Sequence, residues 1–231
     1  YLPMLLWLFV APRRKEIAAA SRVAMRGFAD IVATLRIVAK QPILISMVCL
    51  AALTSFLVGN AYHAQMPGFA IDLGHGDPGL SYSMLLAADA LGAMLAGVAL
   101  ETWSRMRARA GTAIVLATLW SAALIGFAAT RSYPIAIAML LAAGFFELSF
   151  NAMAQTLVQL NAPLESRGRV VGLFNMASLG MRAFSGLTVG LLGEFIGIHW
   201  SLGLSAALLA GLLPFLYRMV PARPKIDGGN T

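Results

Sequence analysis

The sequence predicts an all-α integral membrane protein, with six transmembrane helices plus the end of a truncated one. Three observations predict it. Of the 231 residues, 59% are hydrophobic and only 12% charged, against roughly 45–50% and about 25% in soluble domains. Mean hydropathy is +0.79. The charges are also unevenly placed: residues 41–71, 111–130, 132–146, 148–164, 170–181, 183–193 and 195–217 carry none. Such a chain has too little polar surface to cover itself in water. That excludes a soluble enzyme, a disordered tail and a coiled coil. The alternating segments of about 10 residues that mark a transmembrane barrel are lacking.

Residues 1–11 (YLPMLLWLFVA) are apolar but shorter than the ~20 residues a helix needs to cross a bilayer. Arg13, Arg14 and Lys15 follow this run, whereas a secretory signal carries its charges before it. The segment reads as the tail of a transmembrane helix whose beginning is missing, which would make the chain a fragment. Residues 12–41 read as a cytoplasmic linker. Within it Phe28, Ile31, Leu35 and Val38 repeat at helical spacing, with Arg22, Arg26 and Asp30 on another face, the pattern of an amphipathic helix lying against the inner leaflet. Residues 42–220 hold the six spans, near 43–63, 80–100, 112–130, 134–159, 169–192 and 200–220, lengths that suit tilted helices. Residues 221–231 form a cytoplasmic tail.

The basic residues set the orientation. With residues 12–41 inside and the chain alternating, 15 of the 17 Lys and Arg fall on the cytoplasmic side, while Arg131 lies outside and Arg182 within a span. Both ends of the chain then face the cytoplasm of a cell (inner) membrane. The net charge of +7 is thereby an orientation signal and not the mark of a nucleic-acid partner. Tyr62, Tyr82, Tyr133 and Trp200 fall at outer ends and Trp103 and Tyr217 at inner ends, where amphipathic rings favour the interface. Trp120 lies mid-span and reads as packing.

Ionisable groups inside a bilayer are costly and mark a pathway or a partner. Three stand out: Asp89 in the second span, Glu147 in the fourth and Arg182 in the fifth. Counting residues from the span ends puts Glu147 and Arg182 ~20 Å along their helices and Asp89 ~14 Å. Glu147 and Arg182 can therefore pair, leaving one carboxylate without a cation in these six helices. Burial disfavours the charged form of a carboxylate, so such a group can take up and release a proton near neutral pH. Glu147, Asn151, Gln155 and Gln159 follow at four-residue steps, a winding polar stripe that faces protein or a wet cavity. The site expected for proton coupling or substrate is Asp89, Glu147, Asn151, Gln155 and Arg182.

Small residues recur as Gly186-x-x-x-Gly190 in the fifth span and Gly92-x-x-x-Ala96 and Ala93-x-x-x-Gly97 in the second, spacings that let helices approach closely. His63, Asp72, His75 and Asp77 read as a solvated outer loop with no fixed geometry for a metal. Cys49 is the sole cysteine, so neither an intramolecular disulfide nor a thiolate metal site can form. No Ser pairs with a His within a span and no His-Glu zinc pattern occurs. An enzyme is not expected, nor a cofactor.

Two cytoplasmic connections carry a family resemblance. Gly97-Val98-Ala99-Leu100-Glu101-Thr102-Trp103-Ser104-Arg105 resembles the loop signature of the major facilitator superfamily, with Glu101 in place of the usual Asp and Ser104 in place of Gly. Asn151-x3-Gln155-x3-Gln159 followed by Pro163-Leu164-Glu165-Ser166-Arg167-Gly168-Arg169-Val170 is similar to the branch holding the enterobactin exporter and related transmembrane secretion effectors. Met66-Pro67-Gly68-Phe69-Ala70 and Tyr82-Ser83-Met84-Leu85-Leu86 resemble the same branch. The resemblance implies one half of a twelve-helix bundle, itself a 3+3 inverted repeat, that works by alternating access around a midplane site. The first, second, fourth and fifth spans would line the cavity, and the third and sixth would face outward. Gly97, Glu101, Arg105, Glu165, Arg167 and Arg169 would form a cytoplasmic gate. The function expected is secondary active transport: proton-coupled export of small amphipathic compounds of drug or siderophore type. Its partners would be the bilayer, the small-molecule substrate, protons and a missing N-terminal six-helix half. The alternative is a non-transporting membrane remnant or scaffold of the same fold.

Overall fold

The computed structural model describes residues 27–74, 79–102 and 108–220, apart from the side chains of 27–29 and 187. The chain divides into two compact units, residues 1–33 and 34–231. Of the first, only the opening turns of helix α1 (Gly27–Ala39) are described. The expected stub at 1–11, most of the linker, His75, Asp77, Trp103, Arg105 and the tail at 221–231 lie outside the described residues.

The second unit is all helical among its described residues. It begins with the rest of α1, where Val38 is buried and Leu35 exposed. Among the described residues, six segments are long and apolar enough to cross a membrane: Pro42–Ala64, Leu80–Thr102, Ala110–Ala129, Tyr133–Asn161, Arg167–Ile196 and Ile198–Met219. Their positions follow the charge-free runs. All six differ from the sequence reading by only a few residues at each end.

The first and fifth spans differ in kind. The first is α2 (Pro42–Leu57), then α3 (Ala61–Ala64), then α4 (Met66–Asp72). Helix α2 stops because Gly59 takes a left-handed φ of 50°, the usual way to end a helix with a residue that has no Cβ. Pro67 sits in the first turn of α4, where its missing N–H leaves no helical bond unmade. The segment read as an outer loop from His63 to Asp72 is therefore largely helical. Its polar residues disperse: His63 goes to the bundle interior, and Asp72 lies 3.5 Å from His199.

The second, third and fourth spans are the unbroken helices α5 (Leu80–Thr102), α6 (Ala110–Ala129) and α7 (Tyr133–Asn161). The fifth is α8 (Arg167–Asn175), a π-helical stretch Met176–Gly180, α9 (Arg182–Ser185), a second π stretch Gly186–Leu191, and α10 (Leu192–Ile196). π segments widen the turn and expose backbone carbonyls, and they recur at functional positions. The sixth span is α11 (Ile198–Met219).

Water does not drive helices together inside a bilayer, so close van der Waals fit must do it. Trp120 and Phe150 meet with ring centroids 5.4 Å apart, and Phe69 and Phe127 at 4.6 Å; all four are buried. The tightest approach is between α5 and α7, where a Cβ at Gly92 would run into the Leu141 carbonyl and one at Gly144 into the Asp89 carbonyl. Here the sequence reading needs correcting. A Cβ at Gly186 or Gly190 would meet nothing within 4 Å among the described residues, so the pair makes no close helix crossing there. Those two glycines lie in a π stretch, whose wider turn carries them away from the neighbouring helix faces.

Candidate functional site

The unbroken pair α5–α7 places two carboxylates side by side. Asp89 is buried on α5, and Gly144, which lets the helices touch, stands just before Glu147 on α7. Because the crossing is backbone to backbone, the two acids are drawn toward the same point. The interrupted spans supply their partners. Tyr62, on the short α3, is fully buried, and its hydroxyl lies 3.4 Å from Asp89 Oδ1 and 3.2 Å from Glu147 Oε2. His63 Nε2 is 3.0 Å from Asp89 Oδ2. Arg182, at the start of α9, holds Nη2 3.8 Å from Glu147 Oε1. The result is one chain of polar contacts: His63, Asp89, Tyr62, Glu147, Arg182.

While Tyr62 is fully buried, the other four members of this chain, His63, Asp89, Glu147 and Arg182, line a pocket of about 410 Å³. Its walls come from the first, second, fourth and fifth spans, and α6 and α11 contribute no residue. Asn60, Asn151, Gln155, Asn175 and Ser178 add hydrogen-bonding groups, and Ala93, Leu148, Phe174 and Leu179 apolar ones. All five residues expected from the sequence, Asp89, Glu147, Asn151, Gln155 and Arg182, line this one pocket. Asn151 is partly committed, since its Nδ2 donates to the Glu147 carbonyl at 3.1 Å. Arg182 Nε is buried without a hydrogen-bond partner among the described residues, so this guanidinium keeps a donor in reserve.

The sequence reading missed Tyr62 and His63. It placed Tyr62 as an interfacial anchor and His63 in a solvated loop, because it ended the first span at residue 63. A signal was present: the run at 41–71 is free of charge over its whole length, too long for one straight crossing, and so points to a bent or broken helix.

The residues expected at a cytoplasmic gate lie elsewhere. Gly97 and Glu101 are exposed near the end of α5, Glu165 is exposed between α7 and α8, and Arg167 and Arg169 are exposed on the first turn of α8. None of them lines the pocket.

No curated protein and no solved structure matches the chain. A family model described as Major Facilitator Superfamily matches residues 2–186, a stretch that includes every carboxylate, tyrosine, histidine and arginine of the polar chain. With that match over most of its length, this chain of six membrane-length helices belongs to the Major Facilitator Superfamily, whose members are membrane transporters and not enzymes.

Proposed function

We propose that the protein is a proton-coupled exporter of small amphipathic compounds, of drug or siderophore type. It would work by alternating access in the inner membrane, together with an N-terminal six-helix half. The observation that carries this reading is the pair of carboxylates joined through Tyr62, with a single Arg182 to neutralise them. One proton more or less changes the charge of the pocket wall by one unit, and in a low-dielectric site that changes what the pocket can hold.

Mixed walls favour an amphipathic substrate over a sugar, because apolar surface alternates with a few polar groups. The pocket volume of about 410 Å³ falls in the range for small-molecule sites, and a second half would complete the enclosure. The concentration of Lys and Arg on one side supports cytoplasmic ends for this chain. Glu101, Arg105, Arg167 and Arg169 would then lock the cytoplasmic side in the outward-facing state. The motifs around Gln155 and Arg167 support a reading in which the protein resembles the enterobactin-exporter and secretion-effector branch.

Full-length protein in liposomes with an imposed pH gradient, offered a panel of amphipathic drugs and siderophores, tests the reading. Asp89→Asn and Glu147→Gln should abolish gradient-driven movement while leaving down-gradient exchange. Unchanged pH-dependent efflux in both variants would sink the coupling.

A further inference from the structure

Tyr62 stands between the two carboxylates with one hydroxyl proton to offer. A phenol has one donor and accepts through its oxygen, and an ionised carboxylate only accepts. If both acids were ionised, one hydrogen would be split between them. The separations of 3.4 and 3.2 Å fit that poorly shared arrangement, since a hydroxyl bound to one carboxylate sits at about 2.5–2.7 Å. Adding one proton resolves it. Glu147 Oε2–H then donates to Tyr62 Oη while Tyr62 donates to Asp89; the mirror arrangement, with the proton on Asp89, is satisfied equally well.

The ends of the chain support both forms. When Glu147 is the anion it faces Arg182 at 3.8 Å, and when Asp89 is the anion His63 Nε2–H donates to it at 3.0 Å. Across the helices packed around the cluster, the titratable and charged groups facing it among the described residues are these: His63 and Tyr62 from α3, Asp89 from α5, Glu147 from α7 and Arg182 from α9. With neutral His63 and one proton on the carboxylate pair, they sum to zero charge. A neutral cluster is the form that low dielectric favours.

We infer that Tyr62 is a proton bridge through which Asp89 and Glu147 share one proton. The transfer balances within the site. The O–H bond at Glu147 breaks as one forms on Tyr62 Oη, and the original Tyr62 O–H bond breaks as one forms on Asp89 Oδ1. The tyrosine ends neutral, and one proton has moved from α7 to α5. Tyr62 touches both reacting carboxylates, whereas His63 and Arg182 are positioning residues that favour one end state or the other. The inference rests on the proton-coupled reading and adds to it the route the proton takes between two helices.

Infrared difference spectroscopy of the purified full-length protein, titrated across the neutral range without substrate, reads the protonated-carboxylic C=O stretch. Asp89→Asn and Glu147→Gln assign its two components. In the wild type both components should rise together with one midpoint. Tyr62→Phe keeps the ring and its stack on His63 (centroids 4.1 Å apart) but removes the bridge. The components should then separate by about 1 pH unit or more, because Arg182 and His63 bias the two carboxylates differently. Separate midpoints in the wild type overturn the inference even if Tyr62→Phe fails to fold. Components that still rise together in Tyr62→Phe overturn it as well, and leave the proton-coupled reading standing. If neither component titrates in the wild type, both fall.

Discussion

Two pairs of helices meet at the polar cluster, and they are built in opposite ways. α5 and α7 run unbroken for 23 and 29 residues and press backbone on backbone at Gly92 and Gly144. The first and fifth spans are interrupted, and side chains bond to backbone where they meet. The Thr188 hydroxyl lies 3.0 Å from the Phe56 carbonyl and 3.1 Å from that of Leu57, which α2 leaves unpaired where it ends. Gln65 Nε2 donates to the Val189 carbonyl at 3.1 Å, and Ser201 Oγ donates to the same oxygen at 2.7 Å. The carboxylates sit on the stiff pair, and Tyr62, His63 and Arg182 sit on the broken one. A shift of the broken spans would therefore change the partners of Asp89 and Glu147 while the carboxylates stay in place. That division of labour is how a site can hold a proton differently in two conformations.

The largest effects belong to the stiff pair. Gly92→Ala or Gly144→Ala sets a methyl against a carbonyl that belongs to a helix and cannot swing aside. Each should destabilise the protein by about 3 kcal/mol, the upper end for overpacking, read as a drop in thermal unfolding temperature in detergent. Gly186→Ala and Gly190→Ala, with open space around both, should stay within about 0.5 kcal/mol of wild type. If all four variants behaved alike, the contrast between the pairs would be wrong.

On the broken pair, the expected effects are smaller and local. Gly59→Ala forces a φ of 50° on a residue with a Cβ, which costs about 1–2 kcal/mol before the crowding against Ser185 and the Ser55 carbonyl is added. Thr188→Val keeps the shape and removes the hydroxyl. It should cost about 1 kcal/mol, and amide exchange should quicken where α2 ends. Exchange that rose uniformly over the protein would show that Thr188 serves general packing and does not tie the two spans together.

The same contrast explains what the sequence could and could not tell. The unbroken helices are legible because each fills a run of plausible crossing length that carries no charge or is interrupted within the membrane by a single one. Asp89 and Glu147 were found as charges within such runs, and counting residues was enough to set Glu147 and Arg182 at matching depth. The broken spans are illegible at their breaks. Gly59, Pro67 and Gly68 carry the composition of a loop, yet the stretch is helical, with Met66, Phe69 and Ala70 buried and Gln65 bonded to the Val189 carbonyl. Tyr62 and His63 were misplaced for this reason. The small-residue pattern misled in the opposite direction: Gly186 and Gly190 have the spacing of a helix crossing, but they lie in a π-helical stretch and face open space among the described residues.

The finest test asks what kind of atom each glycine avoids. A Cβ at Gly59 would stand 2.6 Å from Ser185 Oγ and 2.7 Å from the Ser55 carbonyl, one a side chain of the fifth span and the other backbone of its own. Ser185→Ala removes the hydroxyl but leaves its own Cβ, at 2.8 Å, and the Ser55 carbonyl, together with the strained φ. In a double-mutant cycle, Ser185→Ala should therefore return about 0.5 kcal/mol of what Gly59→Ala loses. At Gly92 the obstacle is the Leu141 carbonyl, so Leu141→Ala should return nothing. Rescue at Gly92 would mean that α5 and α7 yield to each other, and that the carboxylates ride on helices as pliant as their partners. No rescue at Gly59 would mean that the break is fixed by α2 alone and that the fifth span merely lies beside it.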